Sequence, residues 1–167
     1  MFKGCATALI TPFREDGEID EEGLRELVRM QEAAGVDAIV PCGTTGESAT
    51  LSHKEHLKVI GIVRDEAKRA KVIAGAGSNA THEAIHLSKG AKDLGVDGVL
   101  LISPYYNKPN QKGIFRHYEA IAKAVDVPIV VYNVPSRTGS NIVAATIKRL
   151  AEVPNIVAVK EASGNMS

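Results

Sequence analysis

Asn155 to Gly164 reads NIVAVKEASG. Ile156, Val157, Ala158 and Val159 are apolar and largely β-branched, a composition that suits a strand buried on both faces, as in a parallel sheet. Lys160 follows at the strand's C-terminal end. An apolar surround disfavours the ammonium form of a lysine, and the neutral amine is a nucleophile that can form a Schiff base with a carbonyl. The plainer alternative is a strand-end lysine that reaches solvent or pairs with Glu161.

Upstream of this stretch the same unit recurs. Cys5 to Ile10 (CATALI), Val36 to Pro41 (VDAIVP), Val72 to Ala76, Val96 to Ser103 (VDGVLLIS) and Pro128 to Tyr132 (PIVVY) are earlier strand-like runs. Helical stretches lie between them. Ile19 to Ala34 has Asp20 as its cap and Leu24, Leu27, Val28 and Gln31 at helical spacing. Ser52 and Glu55 form a capping box for the next, with Leu57, Ile60 and Val63 on its buried side. The third runs from Thr81 to Leu94 with Ile85 and Leu87 inward, the fourth from Gln111 to Ala124, and the fifth from Val143 to Val153.

This alternation predicts a parallel sheet with helices outside, either a doubly wound open sheet or a (β/α) barrel. Polar and aromatic residues cluster after the strand ends, in loop after loop, which favours the barrel, because its C-terminal face carries the site. A complete barrel has eight strands in about 250 residues. Residues 1–167 are therefore expected to be one domain of the α/β class, supplying the first six strands and five helices of a (β/α)8 TIM barrel. Such a sheet has two unpaired edges.

Composition narrows the function. Formal net charge is zero and tryptophan is absent, so neither a basic field nor a set of stacking platforms for nucleic acid is available. The longest apolar runs are too short to span a bilayer, and the N-terminus lacks the pattern of a secretory signal. Cys5 and Cys42 are the only cysteines; both are expected to be small core residues, and no disulfide framework is indicated. These features predict a cytoplasmic protein.

Two motifs have bland readings that outweigh the functional ones. Gly75 to Ala80 (GAGSNA) matches a dinucleotide fingerprint, but it falls on the third unit, and a short glycine-rich turn satisfies the same pattern for steric reasons. His82 to His86 (HEAIH) spells a zinc-binding pattern, but no third ligand is evident and Glu83 simply complements a helix dipole. No metal or organic cofactor is expected. His53 and His56 are read as solvated, or as members of a polar pocket.

Gly43 to Ser48 (GTTGES) is more informative. Its glycines allow close backbone approach, and the adjacent hydroxyls of Thr44 and Thr45 with free amides can hold a carboxylate. A plain βα turn remains the alternative. Tyr132 ends the fifth strand, so its phenol should lie near Lys160, and Arg137 in the following loop suits recognition of a second carboxylate. An amine, a phenol, two threonines and an arginine on one face match Schiff-base chemistry on a 2-oxo acid.

GTTGES, SPYYNKP, YNVPSRTG and VAVKEASG, in this order and spacing, closely resemble the 4-hydroxy-tetrahydrodipicolinate (dihydrodipicolinate) synthase family. The likeness runs the whole length, from TALITPF onward. The wider group of Schiff-base pyruvate aldolases, including N-acetylneuraminate lyase, shares some of these features; the Pro-Tyr-Tyr-Asn-Lys-Pro loop and Arg137 favour the synthase.

The resemblance implies that Lys160 condenses with pyruvate and that Tyr132, Thr44 and Tyr106 relay protons, the last reaching in from a neighbouring subunit. It implies that Thr45, beside Gly43, holds the pyruvate carboxylate and that Arg137 binds the carboxylate of L-aspartate 4-semialdehyde. The product would be 4-hydroxy-tetrahydrodipicolinate, in the first committed step toward diaminopimelate and lysine. It further implies a homo-oligomer, a dimer of dimers, with a lysine feedback site that Ser48, Ala49, His53, His56, Asn79, Glu83 and Tyr105 match. Family members continue through two more strands and C-terminal helices that have no counterpart here. Two other readings follow: another pyruvate-dependent aldolase, or a non-catalytic fragment whose open strands pair with another chain.

Overall fold

The computed structural model describes residues 2–165; the expected domain limits at Met1 and Ser167 lie outside the described residues. Six parallel strands form one sheet in sequential order: β1 (Ala6–Ala8), β2 (Ala38–Val40), β3 (Lys71–Gly75), β4 (Gly98–Ile102), β5 (Ile129–Asn133) and β6 (Ile156–Glu161). The helices are α1 (Glu21–Ala33), α2 (His53–Glu66), α3 (Thr81–Asp93), α4 (Gln111–Ala124), α5 (Pro135–Thr138) and α6 (Ala144–Leu150). A doubly wound sheet reverses its strand order at a switch point. This sheet never does, so it curls as part of a barrel.

Residue alternation separates two cores. Ile39, Val72, Ala74, Val99, Leu101, Ile129 and Val131 face the helices and pack with Leu24, Val28, Val59, Ile60 and Ile121. Their strand neighbours Ala38, Val40, Ile73, Leu100, Val130 and Tyr132 form a second cluster on the concave side, where no helix contributes. Because side chains alternate along a strand, each strand feeds both layers, which is why the sequence runs are continuously apolar.

Local signals set the helix starts. The Asp20 side chain accepts from the Gly23 N–H, and Ser52 and Glu55 complete the expected capping box. Asn110 caps α4 by accepting from the Gly113 N–H. Several expectations need correction. The loop after β5 contains the short helix α5, begun by Pro135 at its first turn, so the described residues form six helices rather than five. The last helix is shorter than 143–153, whereas Leu57 and Ile85, half-buried, pack against the core on the sides expected of them. Cys5 is exposed, because it precedes the edge strand β1, while Cys42 is buried as expected.

The largest correction concerns β6. Only Ile156 is buried; exposure increases toward Glu161, and Lys160 itself is exposed. Among the described residues β6 pairs with β5 alone, which leaves its other flank uncovered. The two open edges, β1 and β6, fall where the six-strand expectation put them.

Candidate active site

The strand register brings the first two groups together. Tyr132 pairs directly with Lys160 across β5 and β6. Tyr132 is buried on the concave side, and the Lys160 Nζ stands 4.3 Å from its ring centroid. This contact is with the ring face, not the phenol oxygen. Partial desolvation holds the Lys160 amine below the ordinary lysine range. Its neighbour Glu161 points to the other sheet face, so the two do not pair; successive strand residues face opposite ways.

The loop after β2 supplies the next groups. Gly46 and Glu47 donate their N–H groups to the carbonyls of Gly43 and Thr44, which coils the segment. Among the described residues, no internal hydrogen bond occupies the Thr44 and Thr45 amides. Cys42 and Glu47 both take left-handed backbone conformations, with φ of 52° and 58°. Thr11 fastens the loop from below by donating its hydroxyl to the Gly46 carbonyl at 2.8 Å.

The glycines of the supposed dinucleotide fingerprint have a packing reason. A Cβ on Gly75 would stand 2.0 Å from the Cys42 carbonyl oxygen, and one on Gly77 2.5 Å from the Ile102 nitrogen. The bare backbone at these positions lets β2, β3 and β4 close together beneath the loop.

Thr44 lies in a small cavity with Tyr132, Gly43, Gly75 and Gly77. It also lines an adjoining cleft of about 220 Å³ with Arg137, Glu47, Ser48, Ala49, Ile102 and Tyr105. Lysine, phenol, threonine and arginine therefore occupy one end of the sheet, the C-terminal end of its strands. Larger hollows lie elsewhere, one at the opposite end among Lys92, Glu119, Asp126 and Glu152, another beside β6.

The other expected residues divide. Thr45 is exposed on the loop beside Thr44. Tyr106 is 88% exposed, with φ of 74°, and stands clear of its own chain's site. Of the residues matched to a lysine site, Ser48, Ala49 and Tyr105 share the cleft with Thr44 and Arg137. His53 is exposed, its ring centroid 5.8 Å from that of His86 with the two planes tilted by 40°. Glu83 accepts from the Ser78 hydroxyl, and the Asn79 carbonyl accepts from Asn107. His56 is not solvated: it is 2% exposed, with Nε2 2.6 Å from the Gly75 carbonyl, and burial lowers its pKa. It lies on the α2 face that also buries Val59, Ile60 and Val63. His82 and His86 are exposed, and among the described residues no three metal-ligating side chains converge. Among the described residues no helix is long and apolar enough to cross a membrane.

Sequence reasoning missed Asn133 and Asn141, which flank α5 and tie the end of β5 to the loop before α6. A buried asparagine ending an apolar strand was the available signal, since such a group must find partners.

A model of the dihydrodipicolinate synthetase family matches residues 1–167. The 4-hydroxy-tetrahydrodipicolinate synthase of Syntrophobacter fumaroxidans is 59% identical over 99% of this chain and 57% of its own length. The crystal structure of chloride-inhibited dihydrodipicolinate synthase from Acinetobacter baumannii, complexed with pyruvate, superposes with a TM-score of 0.97 at 49% identity, covering 99% of this chain and 57% of that one. The lysine-bound enzyme of Cyanidioschyzon merolae gives 0.93 at 49% identity, covering 96% and 55%. The chain thus spans about 57% of the length of the curated relatives it matches.

Proposed function

Because this chain belongs to the dihydrodipicolinate synthetase family, we propose that it carries the Schiff-base site of a 4-hydroxy-tetrahydrodipicolinate synthase, a lyase that condenses pyruvate with L-aspartate 4-semialdehyde. The observation that carries the proposal is the cross-strand pair of Lys160 and Tyr132, with Nζ 4.3 Å from the ring centroid. A partly desolvated amine beside a phenol is what imine formation requires: a neutral nucleophile and a nearby proton carrier.

The Lys160 amine adds to the pyruvate ketone, water leaves, and the resulting imine loses a methyl proton to become an enamine. The enamine carbon attacks the aldehyde of the second substrate, whose own amino group then adds to the imine carbon, closing the ring and expelling the lysine amine, so that the water lost at imine formation is the net by-product. Tyr132 and Thr44, which share one cavity, pass protons to and from these oxygens. Thr45 and the unoccupied amides beside Gly43 hold the pyruvate carboxylate. Arg137, which lines the same cleft as Ser48, receives the semialdehyde carboxylate. The imine is itself the electron sink, so the proposal needs neither metal nor organic cofactor.

Tyr106 completes the relay from a second copy of the chain. Its 88% exposure on a left-handed backbone accords with a side chain built to enter a neighbour's site, and the proposal therefore includes a homo-oligomer, a dimer of dimers. L-Lysine is proposed as a feedback ligand near Ser48, Ala49 and Tyr105, a reading supported by the lysine bound to the Cyanidioschyzon merolae relative. Pyruvate is a small anion and L-aspartate 4-semialdehyde a small zwitterion, and a cytoplasmic home accords with them.

Incubation with pyruvate followed by borohydride, then peptide mass mapping, tests the proposal. A reduced pyruvyl adduct on Lys160, absent from Lys160→Ala, is expected. Equal labelling of several surface lysines would overturn it.

A further inference from the structure

β5 and β6 do not pair evenly. Ile129 lies opposite Ile156, but Val130 lies opposite Ala158, so β6 carries one extra residue, Val157, near the start of the pairing. Beyond this bulge the register runs Val131 to Val159, Tyr132 to Lys160 and Asn133 to Glu161. A one-residue slip there would exchange the faces of every following side chain. Lys160 would turn outward and Glu161 would enter the concave side.

A polar knot closes that end of the ladder. The Asn133 side chain is 1% exposed. Its Nδ2 donates to both Glu161 carboxylate oxygens, at 3.1 and 2.9 Å, and to the Asn141 Oδ1 at 2.8 Å. Its Oδ1 accepts from the Ile142 N–H at 3.1 Å, a bond that fixes which end of the amide faces the carboxylate. Glu161 also accepts from the Ser163 N–H at 2.7 Å, and the Ala162 N–H donates to the Asn133 carbonyl. One amide thus joins the lysine-bearing strand to the Asn141 end of the segment that carries Arg137.

We propose that Asn133 and Glu161 are positioning residues: their bond locks β6 in the register that turns Lys160 toward Tyr132 and couples that strand to the Arg137 segment. The inference rests on the Schiff-base reading of Lys160 for its functional meaning, though not for the register itself. Neither residue touches the reacting atoms, since both lie on the sheet face opposite the lysine. The knot matters because the β5–β6 ladder carries a bulge at its base, where the register can slip. Backbone bonds can re-form after a slip, whereas the pairing of these two side chains cannot.

The test compares Glu161→Gln with Glu161→Ala in the full chain. Both remove the charge, but only glutamine can still accept from Asn133. Lys160 is read in two ways: the pH profile of its acetylation, with Lys123 as an internal reference, and the rate of pyruvate trapping by borohydride. In Glu161→Ala the released amine should titrate higher than in Glu161→Gln, toward the ordinary lysine value. Trapping should be about tenfold slower in the alanine variant than in the glutamine variant. Equal profiles in the two variants would overturn the proposal. A wild-type chain that traps no pyruvate would defeat the Schiff-base reading, while the acetylation profile still decides the register lock. Asn133→Asp, which sets two carboxylates against each other, should reproduce the alanine result.

Discussion

The Lys160 Nζ lies over the face of the Tyr132 ring, 4.3 Å from its centroid, because the two residues are register partners on adjacent parallel strands. The ring and the hydroxyl therefore do separable things. The ring desolvates and seats the amine; the hydroxyl is available for proton transfer. Tyr132→Phe keeps the first and removes the second. Lys160 in that variant should retain its acetylation profile while pyruvate trapping slows about a hundredfold, the usual scale of a lost acid–base group. Tyr132→Ala should also shift the profile upward, because the amine gains solvent. If the phenylalanine variant traps pyruvate at the wild-type rate, the hydroxyl has no part in imine formation.

Gly75 sets the position of the threonine loop. Any side chain there meets the Cys42 carbonyl oxygen at 2.0 Å and the Gly43 nitrogen at 2.8 Å, both backbone atoms that cannot swing aside. Gly75→Ala should destabilise the chain by about 3 kcal/mol, the upper part of the range for overpacking a core. It should also displace Thr44. Urea unfolding monitored by circular dichroism gives the first quantity. An unchanged midpoint would mean that β2 and β3 can separate at this end without cost.

How much of this was legible in sequence depends on whether the signal was local. The caps at Asp20 and Ser52 rest on side chains three residues from their targets, and they were readable. Alternation pointed to a parallel sheet, the polar and aromatic clusters after the strand ends favoured the sequential order of a barrel over a doubly wound one, and the pairing of Tyr132 with Lys160 followed from two strands ending together. Non-local facts were not readable. The exposure of Lys160 depends on what covers β6, which its own composition cannot report. The burial of His56 depends on the β3 backbone meeting α2 at the Gly75 carbonyl. The Asn133–Glu161 knot needed a bulge at Val157, and a bulge leaves no mark in a run of valines and alanines.

The two cysteines should react unequally. Cys42 is 2% exposed and burial pushes its thiol up to about 12, so almost no thiolate exists at ordinary pH. Cys5 is exposed. Iodoacetamide at mildly alkaline pH should modify Cys5 in the folded chain and reach Cys42 only after denaturant is added. Peptide mass mapping distinguishes the sites. Modification of Cys42 in the absence of denaturant, at a rate near that of Cys5, would show that the loop above it opens freely.

His117 should make the fold acid-sensitive. It is 5% exposed on α4, its Nδ1 lies 2.9 Å from the Thr81 hydroxyl on α3, and its Nε2 has no hydrogen-bond partner within the described structure. Burial pushes its pKa down to about 4, against 6.5 for a free imidazole. The unfolded chain therefore binds more protons than the folded one between these values. Stability from this group is complete above about pH 6.5, falls as pH drops toward 4, and changes no further below that. The loss across the window is about 3 kcal/mol. His56, lowered mainly by burial, adds to the loss in the same direction. Carboxylates held down by arginines, such as Glu66, contribute too, so wild type alone cannot identify the source. His117→Gln removes the titrating imidazole and keeps a polar group beside Thr81. Its urea-unfolding free energy should fall less steeply than that of wild type between pH 6.5 and 4, by about 3 kcal/mol over the window. Parallel curves would show that His117 charges without cost in the folded chain, and that water or a local opening reaches its Nε2.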